Sequence, residues 1–440
     1  MSTYIIDGGT PLSGSVRVGG AKNASYKIMV AALLGESPSR LLNFSNISDV
    51  KLVAEIIGSL GANAKLMGER AYLINPQNLN KFSLDSDYGR ASRASTMFIP
   101  VLLHKFGQAV VPYPGGDKIG KRPLERHFKG LIALGASVKA NGNLISVEAQ
   151  QLKGTRYKFE KNTHTGTETL IMAAVKAKGT TVLENAAEET EVDDLIKFLN
   201  SMGAKIKRTK SRTIEIQGVG KLNGSMHKIM PDQNQVVSFA CAAIATKGDI
   251  IVENTQTKDL LAFLEKLEEI GGGYELGEYG IRFFYKKPLT ATNLETAPHP
   301  GFKTDWQPLW TTLVTQAKGE SIVHETVSQN RFDYTDALIK MGAKIELFNP
   351  QVENPKETYN FNPDDVDQND KHAIKITGPT QLQGGEFKIK DLRHGATLLI
   401  AGMMANGKTI LKDPENHIDR GYEKLEELFE TMGAKIQRLD

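Results

Sequence analysis

The chain has 440 residues, 40% hydrophobic and 24% charged, which suits a globular protein of two or three domains and excludes a disordered or fibrous one. Its net charge of +3 is too small to argue for a nucleic-acid partner, and a lone cysteine, Cys241, excludes an intrachain disulfide and a cysteine-based zinc site. The opening residues show no secretion signal and no apolar stretch reaches the ~18 residues that cross a bilayer, so a cytoplasmic protein without membrane association is expected.

Taken along the chain, the first feature is Gly19-Gly-Ala-Lys-Asn-Ala24, a turn before the apolar run Ile28 to Leu34. Backbone N–H groups at a turn-to-helix junction together with Lys22 make an anion site; a solvated turn lysine is the alternative. Val50, Val53, Ile56, Ile57 and Leu60 then recur at three- and four-residue steps, which predicts a helix capped by Ser48 and ended by Gly61. Arg90-Ala-Ser-Arg93-Ala-Ser follows, and after it Pro114-Gly-Gly-Asp-Lys-Ile-Gly-Lys-Arg-Pro123, a loop that is either an exposed connector or a lid over a ligand. Cys241 stands in Phe239-Ala-Cys-Ala-Ala-Ile244 and reads as a buried small hydrophobe. Further cations and carboxylates cluster at Thr304-Asp305, Asn330-Arg331-Phe332, Asp391-Leu-Arg393 and Asp419-Arg420; in the last two the neighbours are either structural ion pairs or site residues. Asn349 to Lys371, rich in Pro, Asn and Asp, is expected to be a surface insertion without a new element. Tyr422, Leu425, Leu428, Phe429 and Met432 predict a final helix, stopped by Gly433. The nine histidines have no metal-ligand spacing, so His127, His164, His299, His394 and His417 read as structural or substrate contacts, and no metal is expected.

Two signatures repeat six times. An apolar residue, a glycine and a small residue precede a strand at Gly61, Gly135, Gly203, Gly271, Gly342 and Gly433, roughly 70 residues apart, with the last interval longer by about 20 where the insertion falls. A glycine leading into an alternating strand precedes each of them, at Gly35, Gly107, Gly179, Gly248, Gly319 and Gly407. Six αβ units of this size are too large for an ordinary solenoid repeat, and two groups of three are one plausible arrangement.

These segments, taken in order, resemble the enolpyruvyl transferases, most closely the members that act on UDP-N-acetylglucosamine. The resemblance spans nearly the whole chain. It is carried by Gly20-Ala-Lys-Asn-Ala24, Arg93-Ala-Ser95, Pro114-Gly-Gly with Ile119-Gly-Lys-Arg-Pro123, Gly179-Thr-Thr with Glu184-Asn-Ala-Ala187, Pro231-Asp232, Thr296-Ala-Pro-His-Pro300 with Thr304-Asp305, Glu325-Thr-Val with Asn330-Arg-Phe332, Asp391-Leu-Arg393 and His417-Ile-Asp-Arg-Gly-Tyr422. The resemblance implies an α/β fold of two inside-out domains, each of three βαβαββ units. Residues 21–231 would form one domain, and 1–20 with 232–440 the other, with hinges near Lys22 and Asp232 and closure assembling the site. It implies transfer of the enolpyruvyl group of phosphoenolpyruvate to the 3′-hydroxyl of UDP-N-acetylglucosamine with release of phosphate, the first committed step of peptidoglycan synthesis, with no cofactor and no metal.

The residue roles implied are these. Lys22, Arg122 and Arg420 hold the phosphate of phosphoenolpyruvate; Arg331, Arg393 and Arg420 hold its carboxylate; Arg93 is a sugar-nucleotide or loop-closing contact. Asp305 is the general base near the sugar hydroxyl and Asp117 the general acid. Asn23, Pro123, Leu124, Glu125, Lys161, Thr163, His164, Asp305 and Val327 fall where the family grips the sugar nucleotide. The family loop usually carries cysteine where this chain has Asp117. Fosfomycin alkylates that cysteine, and a carboxylate is the weaker nucleophile, so insensitivity to the drug is expected. Glu125 (commonly Asp), Asn416 (often aromatic), Gln233 and Glu188 (both often Arg) mark a distant member. Two rival readings are a shikimate 3-phosphate enolpyruvyl transferase, whose first turn is of a Ser-Lys-Ser type, and a catalytically dead sugar-nucleotide-binding paralogue.

Overall fold

The structure is a computed structural model that describes residues 2–91, 93–114, 123–367 and 369–440. These separate into two compact units, one of residues 2–19 with 231–440, the other of 20–114 with 123–230. Each has its own apolar core.

One repeat shows how the sequence makes the unit. Strand Arg156–Lys158 leads into helix His164–Ala174 and then strand Thr180–Glu184, which pairs parallel to the first. Residues Gly166 to Ala174 are all buried; a helix covered on every side belongs in the interior. The second helix, Thr190–Ser201, has one apolar face and leaves Lys197 and Asn200 in water. Strands Lys205–Lys210 and Thr213–Gln217 complete a four-stranded sheet by antiparallel pairing. Helices are therefore inside and sheets outside, and this βαβαββ pattern accounts for six sheets among the described residues. In the unit containing residues 231–440, the inner helices Gln233–Ala245, Gln307–Val314 and Leu392–Met404 pack on one another.

Three repeats are assembled from distant pieces of chain. Strand Ser13–Arg17 pairs parallel with Asp249–Glu253, and Met226–Lys228 pairs parallel with Ser39–Leu42. Ser2–Asp7 lies between Lys408–Asp413 and Lys435–Leu439, antiparallel to both, and supplies the last repeat with its final strand. The sheet of Gln108–Pro112, Ser137–Asn141 and Leu144–Glu148 has three strands; its parallel edge is reduced to the single bridge Ser83 to Val110.

All six glycines of the first signature have positive φ, between +92° and +106°, so each ends its helix in the left-handed conformation. The second signature divides. Gly107, Gly179, Gly319 and Gly407 have positive φ, whereas Gly35 and Gly248 do not. At Gly248 the reason is close approach, since a Cβ there would lie 2.3 Å from the Leu12 carbonyl oxygen, and Lys247 takes the left-handed step instead. Ser48 does not cap its helix: it is the first helical residue, Ile47 is the cap position, and Asp49 supplies the favourable charge in the first turn. The final helix begins only at Leu425; Tyr422 precedes it, after the short 3-10 helix Ile418–Arg420. Asn349 to Lys371 is a loop between paired strands Lys344–Phe348 and Ala373–Gly378. It contains a one-turn helix, Pro355–Thr358, and a 3-10 turn, Pro363–Asp365. Cys241 is fully buried, and burial pushes its thiol far up from the usual range.

Candidate functional site

In the unit of residues 2–19 and 231–440, Asp305 is the centre of a charge cluster. It lies just before helix Gln307–Val314. Arg331 Nη2 donates to its Oδ1 at 2.6 Å and Arg393 Nη2 to its Oδ2 at 3.1 Å. The two arginine side chains are only 5% and 7% exposed, so the charges meet where water screens them weakly. Arg393 is fixed from behind. Its Nη1 donates to Tyr422 Oη at 2.8 Å, that hydroxyl shares a 2.7 Å hydrogen bond with Ser238 Oγ, and the guanidinium lies 5.6 Å from the Tyr422 ring centroid. Burial works against the charge on Arg393, but the Asp305 carboxylate, together with Tyr422 and Asp232, outweighs it and lifts the guanidinium above its already high range. Arg331 Nε is buried and has no hydrogen-bond partner among the described residues. A small, half-open surface pocket adjoins these groups, lined in part by Arg331, Arg393, Asn330 and Tyr334.

Asp391 and Arg393 do not form an ion pair through their side chains. Asp391 caps helix Leu392–Met404, accepting the backbone N–H groups of Arg393 at 2.8 Å and His394 at 3.0 Å, while the Arg393 side chain reaches Asp305, 88 residues away. Asp419 likewise turns to Arg438 of the last strand, which donates to both its oxygens at 2.9 and 2.7 Å. Arg420, half-buried, ends the 3-10 helix that packs on helix Leu392–Met404.

The turn after strand Gly319–His324 holds Val327. The buried Glu325 carboxylate accepts the N–H groups of Val327 at 2.8 Å and Ser328 at 2.9 Å, and the Thr304 hydroxyl at 2.9 Å. Burial raises the Glu325 carboxyl, and these donors, with Arg331, oppose the rise. Glu325 thus ties the Val327 turn to the residue before Asp305. Gln233, where relatives were expected to carry arginine, accepts from Lys303 Nζ at 2.6 Å; Glu188 accepts the Arg212 N–H at 3.0 Å.

In the other unit, Lys22 begins helix Lys22–Ala32 and its Nζ lies 2.7 Å from Asp49 Oδ2, both largely buried. Asn23 beside it is half-buried. Gly20 is required by contact, because a Cβ would fall 1.9 Å from the Asn43 carbonyl oxygen. Thr163 caps helix His164–Ala174, accepting from Gly166 N at 3.3 Å, and Lys161 precedes it, half-buried. Leu124 is buried and Pro123 and Glu125 are exposed at the start of helix Glu125–Ala133; Arg126 Nη1 donates to the Asn162 carbonyl at 3.2 Å and joins this loop to the Lys161–His164 segment. Arg93 opens the 3-10 helix Arg93–Phe98. Asp117 and Arg122 lie outside the described residues.

His164 meets a partner set that sequence inspection missed. Lys27, fully buried, is paired with the buried Glu168 carboxylate; His164 Nε2 lies 3.0 Å from Lys27 Nζ and 3.3 Å from Glu168 Oε1. Burial alone would lower the His164 ring, but Glu168 prevails and raises it. Lys27 and Glu168 sit in apolar helical runs, which was the available signal. Tyr422 was also missed as a site residue, having been read as a helix-face residue. Among the described residues no cluster of ligating side chains could hold a metal, and no helix is long and apolar enough to cross a membrane.

Residues 6–429 match the family model described as EPSP synthase (3-phosphoshikimate 1-carboxyvinyltransferase). The chain belongs to this family of enolpyruvyl transferases. Within it, the chain is 38% identical to a protein of Halothermothrix orenii and 36% identical to one of Saccharophagus degradans; each match covers 100% of both chains, and both proteins are named UDP-N-acetylglucosamine 1-carboxyvinyltransferase. Among solved structures, the enolpyruvyl transferase NikO from Streptomyces tendae superposes with a TM-score of 0.87 at 22% identity, covering 99% of this chain and 98% of that one. EPSP synthase from Acinetobacter baumannii superposes with a TM-score of 0.73 at 18% identity, covering 100% of both. These two likenesses establish the two-domain α/β transferase fold.

Proposed function

We propose that this transferase moves the enolpyruvyl group of phosphoenolpyruvate to the 3′-hydroxyl of UDP-N-acetylglucosamine and releases phosphate, so committing the sugar nucleotide to peptidoglycan. The observation that carries the reading is the pair Arg331 and Arg393 held on Asp305 and backed by Tyr422 and Ser238. Two buried guanidiniums aimed at one carboxylate are built for a carboxylate. On this reading the Asp305 carboxylate stands where the substrate's carboxylate binds. The full-length relatives named for the sugar-nucleotide reaction favour that acceptor over shikimate 3-phosphate.

In this reading the phosphoenolpyruvate carboxylate displaces Asp305 from Arg331 and Arg393, with Arg420 close in sequence to Tyr422 as a third cation. Lys22, Arg122 and Arg420 take the phosphate. Released from the arginines, Asp305 accepts the proton of the sugar hydroxyl as its oxygen bonds to C2 of the enol, and Asp117 delivers a proton to C3. The C2–O bond to phosphate then breaks and C3 gives up a proton, which restores the double bond on the transferred group. The arginines stabilise the charge throughout, an electrostatic contribution of the oxyanion-hole kind. Asn23, Arg93, Pro123, Leu124, Glu125, Lys161, Thr163, His164 and Val327 are assigned to the sugar nucleotide. Residues 21–231 and 1–20 with 232–440 are assigned as the two transferase domains.

The deciding experiment is phosphate release from phosphoenolpyruvate with either acceptor. Release with UDP-N-acetylglucosamine alone is expected. Release only with shikimate 3-phosphate, or tight binding of the sugar nucleotide without turnover, would overturn the assignment.

A further inference from the structure

The loop Asn349 to Lys371 is polar at its ends and anchored in its middle. Tyr359 and Phe361 are each only 6% exposed, in a segment otherwise rich in Asp, Asn and Pro. Their rings stack at 4.8 Å, and the His372 ring lies 5.2 and 5.1 Å from them. Ordering so long a loop costs conformational entropy, so a built anchor calls for a reason.

The anchor grips one place. The Asn360 N–H donates to the Thr326 carbonyl at 2.8 Å, Tyr359 Oη lies 3.2 Å from His324 Nε2, and the Tyr359 and His324 rings meet edge to face at 5.6 Å. His324 and Thr326 flank Glu325, the carboxylate that ties the Val327 turn to Thr304 and so to Asp305. One face of that turn therefore rests on the loop and the other on the charge cluster. We infer that Tyr359, Asn360 and Phe361 are positioning residues for the acceptor side of the site: the loop buttresses the Glu325–Ser328 turn and thereby holds Val327 and Asp305 in register. The inference rests on the assignment of Val327 and Asp305 to the sugar nucleotide. Arg393 is also held from behind by Tyr422 and Ser238, neither of which the loop touches, so the phosphoenolpyruvate side should depend on the loop much less than the acceptor side does.

The strands on either side pair as far as Phe348 with Ala373, so the hairpin can be closed without the loop. The test replaces residues 350–370 by Asn-Gly in the full chain and pairs it with Tyr359→Ala/Phe361→Ala and, as the conservative control, Tyr359→Phe. Two readouts are taken: amide exchange of Val327 and Ser328, and separate KM values for the two substrates. In the loop deletion and the double variant we expect exchange at least tenfold faster and a KM for UDP-N-acetylglucosamine at least fivefold higher, with the KM for phosphoenolpyruvate within twofold. Tyr359→Phe, which keeps the ring packing, should recover most of the loss. Unchanged exchange together with an unchanged acceptor KM in the double variant overturns the inference. If the native protein turns over no sugar nucleotide, the proposed function fails, while exchange at Val327 and Ser328 still decides whether the loop buttresses the turn.

Discussion

Replacing Asp305 with alanine should produce a protein that is less stable alone and more responsive to phosphoenolpyruvate. The substitution removes one hydrogen bond to each of two guanidiniums and leaves side chains that are 5% and 7% exposed without their counter-charge. Breaking a buried pair from one side costs roughly 3–5 kcal/mol. Asp305 itself is 30% exposed, so water reaches the vacancy and the cost falls to about 2 kcal/mol. A dianion that fills the vacancy at a hundred times its dissociation constant returns about 2.7 kcal/mol. The stability deficit should therefore vanish in excess phosphoenolpyruvate, while the native protein gains less because the ligand must first displace Asp305. Phosphate release should be lost in the same variant. Denaturant unfolding with and without phosphoenolpyruvate measures the first part and a phosphate assay the second. An Asp305→Ala protein as stable as the native one without ligand, or stabilised less by phosphoenolpyruvate than the native protein, would refute the idea that Asp305 occupies the substrate's carboxylate position.

Tyr422→Phe removes a buried hydroxyl that accepts from Arg393 and bonds Ser238, so it should cost about 2 kcal/mol in unfolding free energy and raise the KM for phosphoenolpyruvate more than it lowers kcat. Lys27→Met leaves the buried Glu168 with His164 alone and should destabilise by roughly 3 kcal/mol, whereas Lys27→Met with Glu168→Leu should recover much of it; a double-mutant cycle reads the coupling. His104 contacts the carbonyls of Met172 and Ala173 at 3.2 and 2.9 Å, and burial pushes its ring down to about 4 from 6.5. The unfolded chain takes up this proton first. The contribution is therefore complete above about pH 6.5 and is lost as pH falls toward 4, up to about 3 kcal/mol, and His104→Gln should flatten that part of a stability–pH curve. The native enzyme should retain its activity in fosfomycin, and Asp117→Cys should become sensitive, with a covalent adduct visible by mass spectrometry.

How much was legible follows from the range of each interaction. Helix faces repeat every three or four residues and helix ends fall at single residues, so the six units and their six left-handed glycines could be read from neighbours in sequence. Asp305, Arg331 and Arg393 came forward as site candidates from the short motifs that hold them, and their roles only from the family resemblance. The same local logic placed Gly248 before its strand but could not give the reason for glycine there, which comes from Leu12, a contact more than two hundred residues away. It failed at Ser48, where the helix simply begins one residue earlier than a serine cap requires.

The sequence by itself determined the repeat, the α/β class and, through extended resemblance, the family, and it supplied the candidates for binding an anion. Only the tertiary structure decided which charge meets which. Adjacency in sequence pointed Asp391 at Arg393 and Asp419 at Arg420. The fold instead spends Asp391 on a helix cap, gives Asp419 to Arg438 and brings Arg393 to Asp305. It also turned Lys27 and Glu168, two polar residues in apolar helices, into a buried pair against His164, and made part of a polar insertion into a support for the Val327 turn. The physical reason is common to all of them. Backbone periodicity is set by nearest neighbours, but a charge or a hydroxyl takes its partner from whatever the packed helices place within about 3 Å of it, and no spacing along the chain records that distance.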